Sequence, residues 1–167
     1  MTYLDNIMYV VCYESSTIRL YNTDTYSPLD VVINVTGMKD PRDIVVCRYD
    51  RQLYVAEYDC IWRVSVDDHS YVKWLTQSST DTFYVNTLSV TSRRLLVTSL
   101  PPTLRQYNTV DSQLLCHIHL PQYVQELCHA VETTCQTFVV GHRGTSQSKS
   151  RWAVSELFLV FVTTVNG

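Results

Sequence analysis

The residues with the most obvious chemical potential lie close together late in the chain. Cys116, His117 and His119 stand in one Cys-His-Ile-His run, Cys128 and His129 follow, and Cys135 comes soon after. Thiolate and imidazole are zinc donors, taken four at a time in a tetrahedron. The run from Leu114 to Leu120 is strand-like, however, and a strand turns successive side chains to opposite faces. Cys116 and Ile118 then face one way and His117 and His119 the other, so the group splits and no metal site is assigned. Ser, His and Asp are all present, yet no G-x-S-x-G elbow displays a serine nucleophile. With only 4 glycines, a phosphate-cradling loop is excluded as well.

Composition narrows the classes further. At 167 residues, 46% hydrophobic and 17% charged, the chain has the content of one ordinary globular domain with a sizeable core. A formal net charge of -3 gives no global positive field to draw in nucleic-acid phosphates or an anionic membrane. The first residues, MTYLDNIMYVVCYE, lack the pattern of a secretory signal, and no apolar run reaches spanning length. A cytoplasmic chain is the expectation. The 6 cysteines show no C-x-x-C spacing and read as reduced core residues. The sequon Asn34-Val35-Thr36 would matter only in a secreted protein.

The elements that must position any site emerge from the stretch Gln52 to Val66. Leu53 to Ala56 and Ile61 to Val66 are short β-branched and aromatic runs joined by Glu57-Tyr58-Asp59-Cys60, a hairpin pattern. Leu53 and Val55 point one way and Tyr54 and Ala56 the other, so both faces are apolar. The same pattern returns along the chain. Met8 to Val11 matches Leu53 to Ala56, and Tyr13 matches Tyr58, at one offset of 45 residues; Leu95 to Thr98 and Phe138 to Gly141 are the third and fourth copies. A leading strand precedes each hairpin (Asp43 to Cys47, Thr87 to Thr91, His129 to Thr133) and a trailing strand follows (Leu29 to Val35, Tyr71 to Thr76, Leu114 to Leu120). Four strands per unit at this period make a β-propeller blade. Hairpins apolar on both faces require a neighbouring sheet on each side, which stacked blades supply.

The expectation is thus an all-β propeller of about four antiparallel four-stranded blades, in one domain over residues 1–167, with blades at roughly 1–40, 41–80, 81–122 and 123–167. Nothing resembles a terminal capping blade, so the four are read as an incomplete arc of a larger, six-bladed ring. One segment competes: Val124, Leu127, Cys128 and Val131 have the i, i+3, i+4, i+7 spacing of a helix, which allows a helical turn over Tyr123 to Cys128. In the last blade, Trp152 to Glu156 is expected as the third strand and Leu157 to Val165 as the outer one.

The unit Pro41-Arg42-Asp43-Ile44-Val45-Val46, then Leu53-Tyr54-Val55-Ala56-Glu57-Tyr58, then Ile61-Trp62-Arg63-Val64, resembles the NHL and YVTN-like repeats of β-propeller proteins. These motifs specify fold rather than activity. The resemblance implies three classes of function. Lactonase-like relatives hold a divalent cation in the central channel through acidic and amide side chains; here the channel strands would begin at Arg42-Asp43, Asn86-Thr87 and Cys128-His129, offering one carboxylate where a hard cation prefers several. Asp43 is read instead as closing the turn after Pro41. RNA-binding NHL faces need clustered cations, whereas Arg42, Arg48, Arg51, Arg63, Arg93, Arg94 and Arg105 scatter over strands and turns. The third class, a non-enzymatic protein-interaction scaffold, is the leading reading, with a protein partner, no nucleic acid, no membrane, no cofactor and no metal; a small-molecule ligand is left open. Its candidate binding surface is Arg42, Asp43, Tyr58, Asn86, His129, His142 and Arg143, with Tyr58, Trp62, Tyr107 and Trp152 as aromatic anchors and Gly141 to Arg151 as the longest loop.

Overall fold

The computed structural model describes residues 1–77, 84–121, 124, 126–134, 137–143 and 157–163. The elements are β-strands: β1 (Thr2–Leu4), β2 (Ile7–Val11), β3 (Thr17–Asn22), β4 (Pro28–Asn34), β5 (Asp43–Cys47), β6 (Gln52–Ala56), β7 (Cys60–Ser65), β8 (Tyr71–Thr76), β9 (Tyr84–Thr91), β10 (Arg94–Leu100), β11 (Thr103–Asn108), β12 (Leu114–His119), β13 (Glu126–Thr134), β14 (Thr137–Arg143) and β15 (Leu157–Thr163). They form three four-stranded antiparallel meanders, β1 to β4, β5 to β8 and β9 to β12, and a three-stranded sheet β13-β14-β15. Each sheet is one blade. Among the described residues no helix is long and apolar enough to cross a membrane.

Alternation along β6 shows how the blades cohere. Leu53 and Val55 enter the core shared with the first blade, beside Tyr9, Ile18 and Leu20. Tyr54 and Ala56 enter the core shared with the third, beside Leu88, Leu95 and Val97. One strand thereby feeds two sheet interfaces, as its doubly apolar sequence requires. A third core joins the third and fourth blades through Leu96, Leu104, Leu127, Phe138 and Val140. The trailing strands β4, β8 and β12 are largely exposed and form the outer rim.

Among the described residues these three cores connect the four blades in series as an arc. The outward side of the first blade carries Tyr3 and Met8, which with Tyr26 line an apolar groove of about 520 Å³. Tight turns hold the meanders without glycine. Leu4 pairs with Ile7, leaving the two-residue loop Asp5-Asn6, and both residues have positive φ (50° and 61°), the geometry whose twist suits a hairpin. Gly37 is the glycine whose backbone demands it, with φ at 95° and the Trp62 ring 3.5 Å from where a Cβ would stand.

Two expectations change. β13 begins at Glu126, so Glu126 to Cys128 is strand and not a helical turn; Tyr123 lies outside the described residues. Leu157 to Thr163 pairs directly with β14, from Thr137↔Thr163 to Arg143↔Leu157, and so holds the third position of its blade rather than the outer one. Residues 151–156 lie outside the described residues.

Candidate binding face

Antiparallel meanders place their turns at two opposite ends. At one end lie the starts of β5 and β9 and the hairpin turns β2–β3, β6–β7 and β10–β11; at the other lie the turns β1–β2, β5–β6 and β9–β10. The β6–β7 turn is the best built of these. Glu57 N donates to Cys60 O at 2.9 Å, closing the turn. The Glu57 side chain folds inward as a buried acceptor: Oε1 receives the backbone amides of Lys39 (2.5 Å) and Asp40 (3.0 Å), and Oε2 receives Trp62 Nε1 (2.6 Å) and Cys60 Sγ (3.3 Å). Burial alone would raise this carboxyl, but the hydrogen bonds from Lys39 N, Trp62, Asp40 N and Cys60 hold it below the usual range. The linker between the first two blades is thus tied to the second blade's central hairpin.

Glu57, Asp59 and Cys60 bring their ligand atoms within 4.8 Å of one another, but the arrangement does not fit a metal. The Cys60 thiol donates to Glu57, and burial, then the Glu57 carboxylate, push that thiol upward, away from the thiolate a metal needs. Both Glu57 oxygens are already occupied. Cys60 is a packed core thiol.

This buried frame displays Tyr58. Its backbone oxygen accepts from Val85 N at 3.1 Å, docking the turn on the third blade. The Tyr58 ring, 45% exposed, stacks on Tyr84 with centroids 4.2 Å apart and planes 23° apart. The Arg42 guanidinium lies over the same ring, 5.0 Å from its centroid, within cation–π range. Arg42 itself is placed by its backbone amide, which donates to Ala56 O at 2.8 Å. The corresponding turns of the first and third blades present Tyr13 and Leu100, both exposed.

The other sequence candidates divide. Asp43 does not close the turn after Pro41: Oδ1 accepts from Ile44 N and Oδ2 from Leu88 N, each at 2.8 Å, so it clasps the second blade to the third. Asn86 Nδ2 donates to Leu127 O and does the same one blade on. The two Asp43 oxygens and the Asn86 amide nitrogen are thus each held on backbone groups, those of Ile44, Leu88 and Leu127. Asn86 and His129 are also not strand starts, because β9 begins at Tyr84 and β13 at Glu126. His129 is exposed on β13. His142 is 4% exposed and follows Phe138 and Val140 in strand alternation, so it is removed from the surface set. Arg143 ends β14, and its side chain lies outside the described residues. Of the aromatic anchors, Trp62 and Tyr107 are buried at 5% each, and Trp152 lies outside the described residues.

At the opposite end three of the arginines pair with carboxylates. Arg51 Nη1 pairs with Asp5 of the first blade (2.6 Å) and its Nε with Asp67 (2.7 Å); Arg93 of the third blade pairs with Asp50 of the second (3.1 Å), and Arg94 with Glu132 of the fourth (3.0 Å). Asp5 and Asp50 are repeat equivalents, so a rim ion pair recurs from blade to blade. Arg105 is buried. These cations join blades rather than forming a stripe for phosphates.

No family model and no curated protein matches the chain. Solved structures do match in shape. U3-55K superimposes with a TM-score of 0.66 at 12% identity, over 83% of this chain and 43% of that one. The WD40 repeats of RRP9 give 0.65 at 11% identity, over 83% and 42%. The computationally designed Ika8 gives 0.64 at 12% identity, over 84% and 41%, and the designed Ika4 gives 0.64 at 11% identity, over 96% and 88%. The chain therefore spans about two fifths of three of these structures. The likeness shows a β-propeller fold.

Proposed function

We propose that this chain is a propeller scaffold that binds a polypeptide partner on the end carrying Arg42, Tyr58 and Tyr84, and that its repeats are of the NHL/YVTN kind. One observation carries the first part: an exposed arginine–tyrosine–tyrosine stack mounted on a turn that Glu57 and the third blade hold rigid. Tyrosine and arginine are the residues that dominate interface energies, and a fixed ring loses little entropy on binding. Tyr13 and Leu100 extend the apolar rim across three successive blades. The repeat type rests on the Pro41 to Val64 motifs.

The test is proximity capture from cell extract with a photoreactive group at the neighbouring exposed position 59, comparing the native Arg42–Tyr58–Tyr84 stack with Arg42→Ser/Tyr58→Ser. A set of proteins captured by the native surface and lost in the double variant, with unchanged circular dichroism, supports the reading. Equal capture by both refutes it.

A further inference from the structure

The strand register repeats from blade to blade and gives each blade one face for the blade before it and one for the blade after. On the second blade Leu53 pairs with Val64 and Val55 with Trp62, all buried at 5% or less in the core shared with the first blade. On the third, Leu95 pairs with Tyr107 and Val97 with Arg105, again at 5% or less. The same positions on the first blade hold Met8 paired with Tyr21 and Val10 paired with Arg19. Here Met8, Val10 and Tyr21 are only half-buried and Arg19 is exposed, and Met8 lines the apolar groove with Tyr3 and Tyr26. This face has the make-up of a blade interface, and the buried Arg105 shows that the fold accepts an arginine at the Arg19 position.

The opposite end of the arc carries the other half. Tyr9, Tyr54 and Leu96 occupy the position that faces the following blade, each 3% exposed or less. Val139 holds that position on the fourth blade: Phe138 and Val140 enter the core shared with the third blade, so alternation turns Val139 away from it. Val139 is half-buried, and its register partner Val131 is 39% exposed.

The two ends thus present the two halves of an interface that the chain makes three times between its own blades. We propose that a second copy of this chain covers both, the first blade of each copy packing on the fourth blade of the other. The occupant of the first face must itself offer a following face, and among the described residues the uncovered one belongs to the fourth blade. Each contact is head-to-tail, and two of them related by a two-fold axis along the channel close a ring. The blade count fits: two copies of four supply eight, the upper end of the usual range of about four to eight, and a third copy would exceed it. Closure also removes both apolar faces from water.

Size-exclusion chromatography with light scattering, run on the 167-residue chain at micromolar concentration, tests this. The native chain is expected at twice the mass of one copy. Met8→Glu and Val139→Lys, one on each face, are each expected to run as monomers with native circular dichroism, because either change damages both contacts of the ring. Mixed in equal amounts they should recover the dimer, since one contact then joins two unaltered faces and the other sets glutamate against lysine. Val72→Lys, on the exposed rim, should leave the dimer intact. A monomeric native chain overturns the proposal and leaves the first face to further blades of a six-bladed ring. So does a dimer lost in Met8→Glu but kept in Val139→Lys, which would mean that first blades pair with each other. A dimer that survives both changes, or a mixture that stays monomeric, overturns it as well.

Discussion

Replacing Glu57 by alanine removes the acceptor for Lys39 N, Asp40 N, Trp62 Nε1 and Cys60 Sγ together. The four donors do not suffer equally. Lys39 is exposed and Asp40 half-buried, so water can reach their amides, whereas Trp62 and Cys60 are buried. A hydrogen bond to a charged group contributes about 1.5–3 kcal/mol, and a stranded buried donor costs about 1–3 kcal/mol. Taking the Trp62 bond near the top of its range and the linker amides near the bottom of theirs, Glu57→Ala destabilises the arc by about 3–5 kcal/mol. Glu57→Gln keeps the shape and one carbonyl oxygen but sets an amide N–H against one group of donors, and should cost about half as much. Urea denaturation followed by tryptophan fluorescence and far-UV circular dichroism measures both. A loss below about 1 kcal/mol for Glu57→Ala would refute the hub, since it would mean that water satisfies the donors as well as the carboxylate does. A larger loss for glutamine than for alanine would refute it too.

Acid titration should follow from the same carboxylate. Glu57 lies below the usual range, and Asp68 is brought down to about 2 by hydrogen bonds from Ser65 and Ser70. Both are protonated more readily in the unfolded chain, so their stabilisation is complete above the ordinary carboxylate value of about 4.3 and is lost as pH falls through the lowered folded values. Urea midpoints taken between pH 7 and pH 2.5 should stay flat and then drop, with a shallower drop in Glu57→Gln; equal slopes would contradict the linkage. Leu95, 0% exposed between the second and third blades, should cost about 2–5 kcal/mol as Leu95→Ala, against less than about 0.5 kcal/mol for Val72→Ala on the exposed rim. Alkylation of the native chain, read by peptide mass spectrometry, should label the exposed Cys12 well before Cys60 and Cys47, whose thiols burial raises first and whose carboxylate neighbours Glu57 and Asp50 raise further.

The repeat was legible because it is written twice over, in strand alternation and in the spacing of turns. β6 is the clearest case, its two faces assigned to two different cores from residue type alone. The helical spacing that allowed a turn over Glu126 to Cys128, where the structure has strand, has a specific cause. β13 shifts register between Leu127 and His129, so Cys128 is skipped against β14. A bulge of this kind inserts one residue and lets positions three apart share a face, and Leu127 and Ala130 do enter the same core. That spacing is the signature by which a helix is recognised. The same device operates one blade earlier: β9 shifts against β10 so that Asn86 is skipped, and Val85 and Leu88 share a core. Asn86 is therefore the bulged residue, which is what frees its amide to reach Leu127 O. A single sequence records the extra residue but not which strand absorbs it.

The candidate site was half legible, and the half that failed shows what residue type cannot decide. Arg42 and Tyr58 were chosen for their places at a strand start and a hairpin turn, and both are exposed and in contact with each other. His142 was chosen for its chemistry, although its spacing of four from Phe138 and two from Val140 already placed it with the core. Glu57 and Tyr84 were missed. Glu57 left a readable trace, since an indole N–H between two apolar sheets needs an acceptor, and a glutamate at the adjoining turn is a carboxylate within reach of Trp62. Tyr84 left none, because only the docking of the β6–β7 turn on the third blade brings it beside Tyr58. The carboxylates that look most catalytic, Asp43 and Glu57, hold backbone amides of linkers and neighbouring strands. Their charge is used to fix turns, and the fixed turns hold the tyrosine stack in place, which is what the proposed binding role requires.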